Sequence, residues 1–391
     1  MQSQNSAPRV AIACGGTGGH LFPGVAVAEE LKRRGCAVTL LISPKEVDQK
    51  AVQGATGVQI ATLPAIGLTR GKYLAFARGF AQSYRTAKKL FAAEKPEAVL
   101  AMGGFTSAPP VLAGKSLGVP TFLHESNTIP GRANRWLSWV VSEAFVGFSD
   151  AATRLHTRNV KVTGTPVRPQ FQPMDLAACR AALGLDPQKP VLLVTGGSQG
   201  ASGLNDLVIA TLPFLAKQLA GWQLFHLTGP TDVEKVQRAC AAHNIHAVVK
   251  PFFGEMHLAL GAASVTISRA GASSLAEFAA MRVPSVLVPF PAATDNHQFY
   301  NARAFEKTGA AVLLGQRGAS AEMLALKISE LAQQTASRER MCVALGAWHS
   351  PQAAERIAES IMQAITARRT AAGGIIVPAA THLKNQQSAI T

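Results

Sequence analysis

The chain has 391 residues, 48% of them hydrophobic and 16% charged, with a formal net charge of +15. A single hydrophobic core stops growing at roughly 250–300 residues, so two domains are expected. The five cysteines, Cys14, Cys36, Cys179, Cys240 and Cys342, are scattered and form no C-x-x-C, which argues against a disulfide framework or a zinc site and for a reducing compartment.

The N-terminal MQSQNSAPRV is polar and lacks the apolar stretch of a signal peptide. No run of about 18 apolar residues is present, so no membrane span is expected. RVAIACGG (9–16) reads as a buried strand, PGVAVAEELKRRG (23–35) as an amphipathic helix closed by Gly35, and AVTLLIS (37–43) as the next strand. Strand, helix, strand is a βαβ unit, and it implies a parallel sheet. From Gln49 to Ala93 there is no Asp or Glu. That stretch carries Lys50, Arg70, Lys72, Arg78, Arg85, Lys88 and Lys89, interleaved with Leu68, Tyr73, Leu74, Phe76, Phe80 and Tyr84. It reads either as a membrane-surface patch or as an ordinary helix with a core face and a solvated basic face.

The pattern restarts at PVLLVTGGSQGASGLNDLVIATLPFLAKQL (190–219), again a strand running through glycines into a helix. A second echo joins EAVLAMGGFTSAPPVLAGKSLGVPTFLHESN (97–127) to SVTISRAGASSLAEFAAMRVPSVLVPFPAAT (264–294): strand, glycine, helix, Val-Pro, strand. The chain therefore divides into a Rossmann-like half over 1–167 and another over 168–347. A Pro-rich link near GTPVRPQFQP (164–173) joins them. A late helix within 348–369 has Pro351 in its first turn, and the tail 370–391 is expected to be disordered. Ligands of open α/β sheets sit at the carboxyl ends of the strands, so two such halves imply a cleft lined by glycine loops from both sides.

Several chemistries are excluded by spacing. GGTGGH (15–20) has Leu21 where the dinucleotide fingerprint needs glycine, which disfavours a nicotinamide oxidoreductase. The Gly114–Ser116 triplet has Pro109 where a P-loop needs glycine, and His124-Glu125 opens no H-E-x-x-H. No D-x-D clamp for a metal-bound nucleotide diphosphate is found. The basic excess also suits nucleic acid, but no known binding module accompanies it, so a nucleic-acid partner is not expected. The remaining physics favours an anion held without metal: glycines turn backbone N–H groups inward, and a helix N-terminus carries about half a positive charge. Gly15, Gly16, Gly18 and Gly19 suit a phosphate, as do Gly196, Gly197 and Gly200 with the Ser198 hydroxyl. Tight turns are the plainer reading of each loop. His20 is placed to take a proton or to cap. Glu277 suits a ribose diol or the dipole of its helix, and His297 and Gln298 suit sugar hydroxyls or capping.

GGTGGH (15–20), GGF (103–105), HESN (124–127), GTPVR (164–168), GGSQGA (196–201), SRAGASSLAE (268–277) and DNHQ with NA (295–298, 301–302) together resemble the MurG family of N-acetylglucosaminyltransferases. The resemblance spans nearly the whole chain apart from the tail. It implies a GT-B fold, α/β, with two Rossmann-like domains facing each other across a cleft and the last helix crossing back to the first. It implies an inverting hexosyltransferase moving N-acetylglucosamine from its UDP donor to the 4-hydroxyl of undecaprenyl-diphospho-muramoyl-pentapeptide (lipid I), forming lipid II of peptidoglycan. Neither cofactor nor metal is implied. The donor would meet Thr17, Gly18, Gly19, Asn127, Arg168, Gly197, Ser198, Gly271, Glu277, His297 and Gln298. The acceptor would meet Gly15, Gly16, Thr17, Gly103, Gly104 and Asn127, with His20 as candidate base. The chain would sit peripherally on the anionic cytoplasmic face of the bacterial inner membrane, with cell-wall or division proteins as further candidate partners. A GT-B enzyme glycosylating another lipid or natural product is the alternative. The sequence departs from the family at Ser126, Thr165 and Ser273-Ser274, where Gln, Asn and Leu-Thr are more usual.

Overall fold

A computed structural model describes residues 7–16, 18–52, 57–65, 67, 71–197 and 200–371. The strands of the first sheet are β1 (Arg9–Ala13), β2 (Ala37–Ile42), β3 (Gln59–Thr62), β4 (Ala98–Ala101), β5 (Thr121–Glu125), β6 (Glu143–Val146) and β7 (Val160–Val162). Among them lie α1 (Gly18–Arg33), α2 (Glu46–Ala51), α3 (Tyr73–Ala93), α4 (Ala108–Ser116), α5 (Arg132–Leu137) and α6 (Ser149–Ala152). The second sheet has β8 (Val191–Thr195), β9 (Gln223–Leu227), β10 (Ala247–Lys250), β11 (Val265–Ser268), β12 (Ser285–Leu287) and β13 (Val312–Leu313). Its helices are α7 (Leu176–Ala182), α8 (Ser202–Gln218), α9 (Val233–Ala242), α10 (Met256–Ala262), α11 (Ala272–Met281), α12 (His297–Lys307), α13 (Ala321–Gln333) and α14 (Thr335–Trp348); α15 (Ala353–Ala371) ends the described chain.

Both sheets are parallel and doubly wound, with strand orders β3-β2-β1-β4-β5-β6-β7 and β10-β9-β8-β11-β12-β13. In each, chain direction across the sheet reverses between its first strand and the fourth, β1/β4 and β8/β11, and ligands of such sheets bind at this switch point. All four strands beside the two switch points run into glycine-containing loops. The repeat detected in the sequence is thus the repeat of two crevices.

The continuous apolar runs of the strands follow from cover on both faces. On one face of the first sheet Val10, Ile12, Leu40 and Leu100 pack with α1 and with Ile357, Ile361 and Ile365 of α15. On the other, Ala11, Leu41 and Val99 pack beneath α3, α4 and α5. Side chains alternate between the faces as the pleat requires. The second sheet has its own core, including Val194, Phe225, Leu275 and Phe278. The late helix thus returns to the first sheet, where Arg369 forms a double hydrogen-bonded ion pair with Glu97 at 2.6 Å.

Two boundaries differ from the sequence reading. Helix α1 begins at Gly18, not Pro23, so Pro23 lies inside it and deprives Gly19 of the hydrogen bond its carbonyl would otherwise accept. The late helix begins at Ala353 and runs to Ala371; Pro351 lies in the turn before it. The tail expected to be disordered starts at residue 370; Thr370 and Ala371 instead continue α15, and the rest of it lies outside the described residues.

Candidate active site

The first glycine loop is shaped largely by its own neighbours. A Cβ on Gly15 would lie 2.3 Å from the Ser43 nitrogen, so glycine lets the loop press against β2. Gly16 has φ +113°, and its N–H donates to the buried Asp48 Oδ2 at 2.6 Å. The Gly16 carbonyl accepts from Lys45 Nζ at 3.0 Å, and that ammonium lies 5.1 Å over the Phe105 ring. The Gly15 carbonyl accepts from Thr106 Oγ1 at 2.7 Å. The expectation that the Gly16 amide faces a phosphate is therefore corrected: the buried Asp48 carboxylate is the anion it serves. Gly18 and Gly19 open α1, where backbone N–H groups have no intrahelical acceptor. Thr17 lies outside the described residues.

His20 is the third residue of α1, and its ring packs against Gly103 and Gly104. A Cβ on Gly103 would come within 2.8 Å of the His20 ring, and one on Gly104 within 3.1 Å. Both glycines have positive φ, +104° and +79°. The GGF motif therefore forms the floor on which the imidazole rests, a role the sequence reading, which gave these glycines to the acceptor, did not foresee. Burial lowers the His20 pKa; Glu125 and the Met102 backbone pull the other way, and His297 of the second domain lowers it further. The ring is thus neutral near pH 7, and its buried Nδ1 has no hydrogen-bond partner among the described residues.

The HESN segment closes this side. Glu125 is buried at the carboxyl end of β5 and accepts from Asn127 N, Asn127 Nδ2, Gly131 N and Asn134 Nδ2, each at 2.9 Å. It holds the following loop against the strand. Sequence reasoning quoted this motif without giving Glu125 a role; the available signal was a carboxylate at the end of a buried parallel strand. His124 is a strut: its Nε2 donates to the Gly164 carbonyl at 3.0 Å while Ser126 Oγ lies 3.3 Å from Nδ1. Burial lowers its pKa to about 4.

Across the cleft, Gly197 has φ +91° and open space where a Cβ would project, ahead of the N-terminus of α8. Ser198 is outside the described residues. Gly271 precedes the first turn of α11 and is likewise uncrowded. From α11, Glu277 faces Arg168 at 3.7 Å. Burial pushes the Glu277 carboxyl up to about 7 even with that guanidinium beside it. Arg168 lies 4.2 Å from the Phe22 ring of α1 and 4.9 Å from the Phe171 ring, so one side chain of the linker touches both domains.

Gln298 and His297 open α12. Gln298 Oε1 accepts from Phe290 N at 2.9 Å and Ala270 N at 3.3 Å, which fixes the amide and leaves its Nε2 hydrogens for a ligand. His297 Nδ1 donates to the Thr294 carbonyl at 2.8 Å, which fixes the ring and leaves Nε2 outside that bond. The long loop before α12 turns through Asp295 and Asn296, both with positive φ, and Asp295 meets Arg135 of the first domain at 2.7 Å. Arg269 was missed from sequence. It is buried, donates to the Val288 carbonyl at 2.9 Å and to Gln316 Oε1 at 2.6 Å, and so ties together the loops beneath the site. Burial lowers its pKa to about 10.

Two doubly wound parallel sheets, each with glycine loops at its switch point, make up the architecture of the GT-B fold. Residues 10–146 match the glycosyltransferase family 28 N-terminal domain, and residues 191–357 match its C-terminal domain. The UDP-N-acetylglucosamine--N-acetylmuramyl-(pentapeptide) pyrophosphoryl-undecaprenol N-acetylglucosamine transferase of Anaeromyxobacter sp. (strain K) is 38% identical, with 92% of this chain and 94% of the relative covered. The enzyme of that name from Desulforudis audaxviator is 36% identical over 90% of this chain and 97% of the relative. The crystal structure of Acinetobacter baumannii MurG superposes with a TM-score of 0.70 at 27% identity, covering 92% of this chain and all 100% of that one. The calicheamicin glycosyltransferase CalG4, at 17% identity and a TM-score of 0.64 over 93% of this chain and 99% of its own, shares the fold. The chain belongs to glycosyltransferase family 28 and, within it, to the MurG family of N-acetylglucosaminyltransferases.

Proposed function

We propose that this chain transfers N-acetylglucosamine from UDP-N-acetylglucosamine to the 4-hydroxyl of undecaprenyl-diphospho-muramoyl-pentapeptide with inversion, producing lipid II. The observation that carries the reading is the His20 ring resting on its Gly103-Gly104 floor at the start of α1, with its buried Nδ1 unpartnered among the described residues. His20 takes the proton of the attacking hydroxyl. The oxygen adds to the anomeric carbon as the bond to UDP breaks, through an oxocarbenium-like transition state. Negative charge then grows on the departing diphosphate, which the amides at the start of α8 and the Arg168 guanidinium stabilise. Glu277 accepts the ribose hydroxyls, Gln298 donates to the sugar, and Asn127 serves the sugars from the other side. Gly18 and Gly19, at the start of α1, serve the donor, and Thr17 serves donor and acceptor alike.

Membrane attachment is proposed on exposed residues of the first domain. Tyr73 and Leu74, at the start of α3, are 61% and 79% exposed and lie beside the exposed Lys72 and Arg78. Trp136 and Trp139, at the end of α5 on the same side of the sheet, are 50% and 69% exposed, with Arg132 exposed nearby. None of the described helices is long and apolar enough to cross a membrane. The reading is therefore peripheral docking on the anionic cytoplasmic face, where the acceptor lipid is anchored.

The test is transfer of labelled N-acetylglucosamine from its UDP donor to a short-chain lipid I analogue in EDTA. Labelled lipid is expected. Transfer only after magnesium is added would overturn the metal-free account of the leaving group. UDP binding without transfer would point to a different acceptor.

A further inference from the structure

Asn301 lies on α12, one turn beyond His297 and on the same face of the helix. It is fully buried, and each of its four hydrogen-bonding positions is used. Its Oδ1 accepts from Thr128 N at 2.9 Å and Thr128 Oγ1 at 3.0 Å. Its Nδ2 donates to Asn127 Oδ1 at 3.0 Å and to the Ala270 carbonyl at 3.2 Å. Three of these bonds reach the first domain, and the fourth stays within the second. The chain of contacts continues at both ends. Asn127 Nδ2 donates to Glu125, and the Ala270 N–H is held by Gln298. One buried amide thus connects the loop that carries Asn127 to the peptide that Gln298 grips.

We propose that Asn301 is a positioning residue that sets the register of the two domains, so that the acceptor-side Asn127 and the donor-side Gln298 are held together only in the closed arrangement. This rests on the reading of those two residues as substrate ligands. With Asn301 absent, Asn127 Oδ1, the Thr128 groups and the Ala270 carbonyl lose a partner in a buried place, and the domains are freed from their mutual register. Asn301 need touch neither sugar to act. Its effect falls on how often Asn127 and the α12 residues meet in reactive geometry, which belongs to kcat more than to the binding of UDP-N-acetylglucosamine.

The test is a double-mutant cycle on kcat with Asn127→Ala, Asn301→Ala and the pair, all in the full chain. The expected loss for Asn301→Ala is about tenfold to a hundredfold in kcat, with KM for the UDP donor changed by less than about threefold. If Asn301 acts through Asn127, the double variant is scarcely worse than the poorer single. Losses that multiply would overturn the proposal, as would a fall in active fraction with kcat per active site unchanged. Should Asn301→Ala fail to fold, Asn301→Ser, too short to reach Asn127, runs the same cycle. Small-angle scattering without substrates separates this proposal from the choice of acceptor. A larger radius of gyration for the Asn301 variant supports the clamp even if no lipid I analogue is glycosylated, and an unchanged radius overturns it.

Discussion

At the scale of single residues, the site is governed by burial acting on two titratable groups in opposite senses. Burial favours neutral His20, so the imidazole keeps a lone pair at pH values where a solvated one is half protonated. At saturating donor, kcat should therefore hold its plateau to below pH 6.5, the ordinary imidazole value, and decline only as pH falls through the lowered pKa. His20→Ala should reduce kcat by about 10²–10⁴-fold while UDP affinity stays unchanged. Turnover close to that of the parent would remove His20 from the proton-transfer step. Glu277 moves the other way, up to about 7. As a ribose acceptor it must be ionised, so UDP should bind more tightly as pH rises through about 7. Glu277→Gln should flatten that dependence in calorimetric titrations, and a pH profile identical to the parent would show that the carboxylate does not meet the ribose.

The residue types at these positions were legible in the sequence because short-range spacing around glycines is itself a chemical signal. Their local duties were less so. Gly103 and Gly104 look like an anion cradle when read along the chain, yet the group resting on them comes from α1. Gly16 looks like a phosphate donor, yet its N–H is taken by Asp48, beyond the next strand. In both cases the deciding partner lies far away in sequence. Arg269 escapes notice for the same reason, since Val288 and Gln316 lie well along the chain; the partners of Glu125 are close in sequence, but spacing does not show that its carboxylate turns back onto the loop that follows.

Among the elements, α3 follows the amphipathic reading along most of its length and leaves one turn uncovered, on which the proposed membrane docking rests. Gly79, Ser83, Ala87 and Phe91 face the core, and Phe80 and Tyr84 pack partly against it, which is ordinary amphipathic behaviour. The first turn departs from that pattern by leaving Tyr73 and Leu74 uncovered. Periodicity defines the apolar face, but how far a neighbouring helix covers it is set by tertiary packing, here by α4. Lys50, by its side chain, and Leu68 and Arg70 altogether, fall outside the described residues. If the uncovered turn enters a bilayer surface, each apolar side chain contributes up to about 1.5–3 kcal/mol. The double substitution Tyr73→Ser with Leu74→Ser should then weaken binding to anionic vesicles by at least about tenfold. Transfer to a short-chain acceptor in solution should be unaffected. Equal sedimentation of parent and variant with such vesicles would exclude α3 as the docking element.

For the whole molecule, the ordering principle is a duplicated crevice whose last described helix, α15, returns to the first sheet. The duplication was visible in the sequence because each half repeats strand, glycine and helix in order. The return of α15 was not visible from patterning, since an amphipathic helix does not state which sheet it covers; it entered through the family resemblance. Ile357, Ile361 and Ile365 belong to the core of the first sheet, so the stability of that domain depends on residues near the end of the chain. Deleting a buried aliphatic side chain costs about 2–5 kcal/mol through lost transfer energy and the cavity left behind. Ile361→Ala should therefore lower the melting transition of the first domain while UDP protects the second as in the parent. Differential scanning calorimetry with and without UDP resolves this. Separation into two transitions, with only the UDP-insensitive one shifted, is the outcome expected if α15 stabilises the acceptor half alone. A single transition that falls as one would mean that the clamp around Asn301, the Arg168 contacts and the packing of Phe148 against Phe305 and Trp348 join the two domains into one cooperative unit.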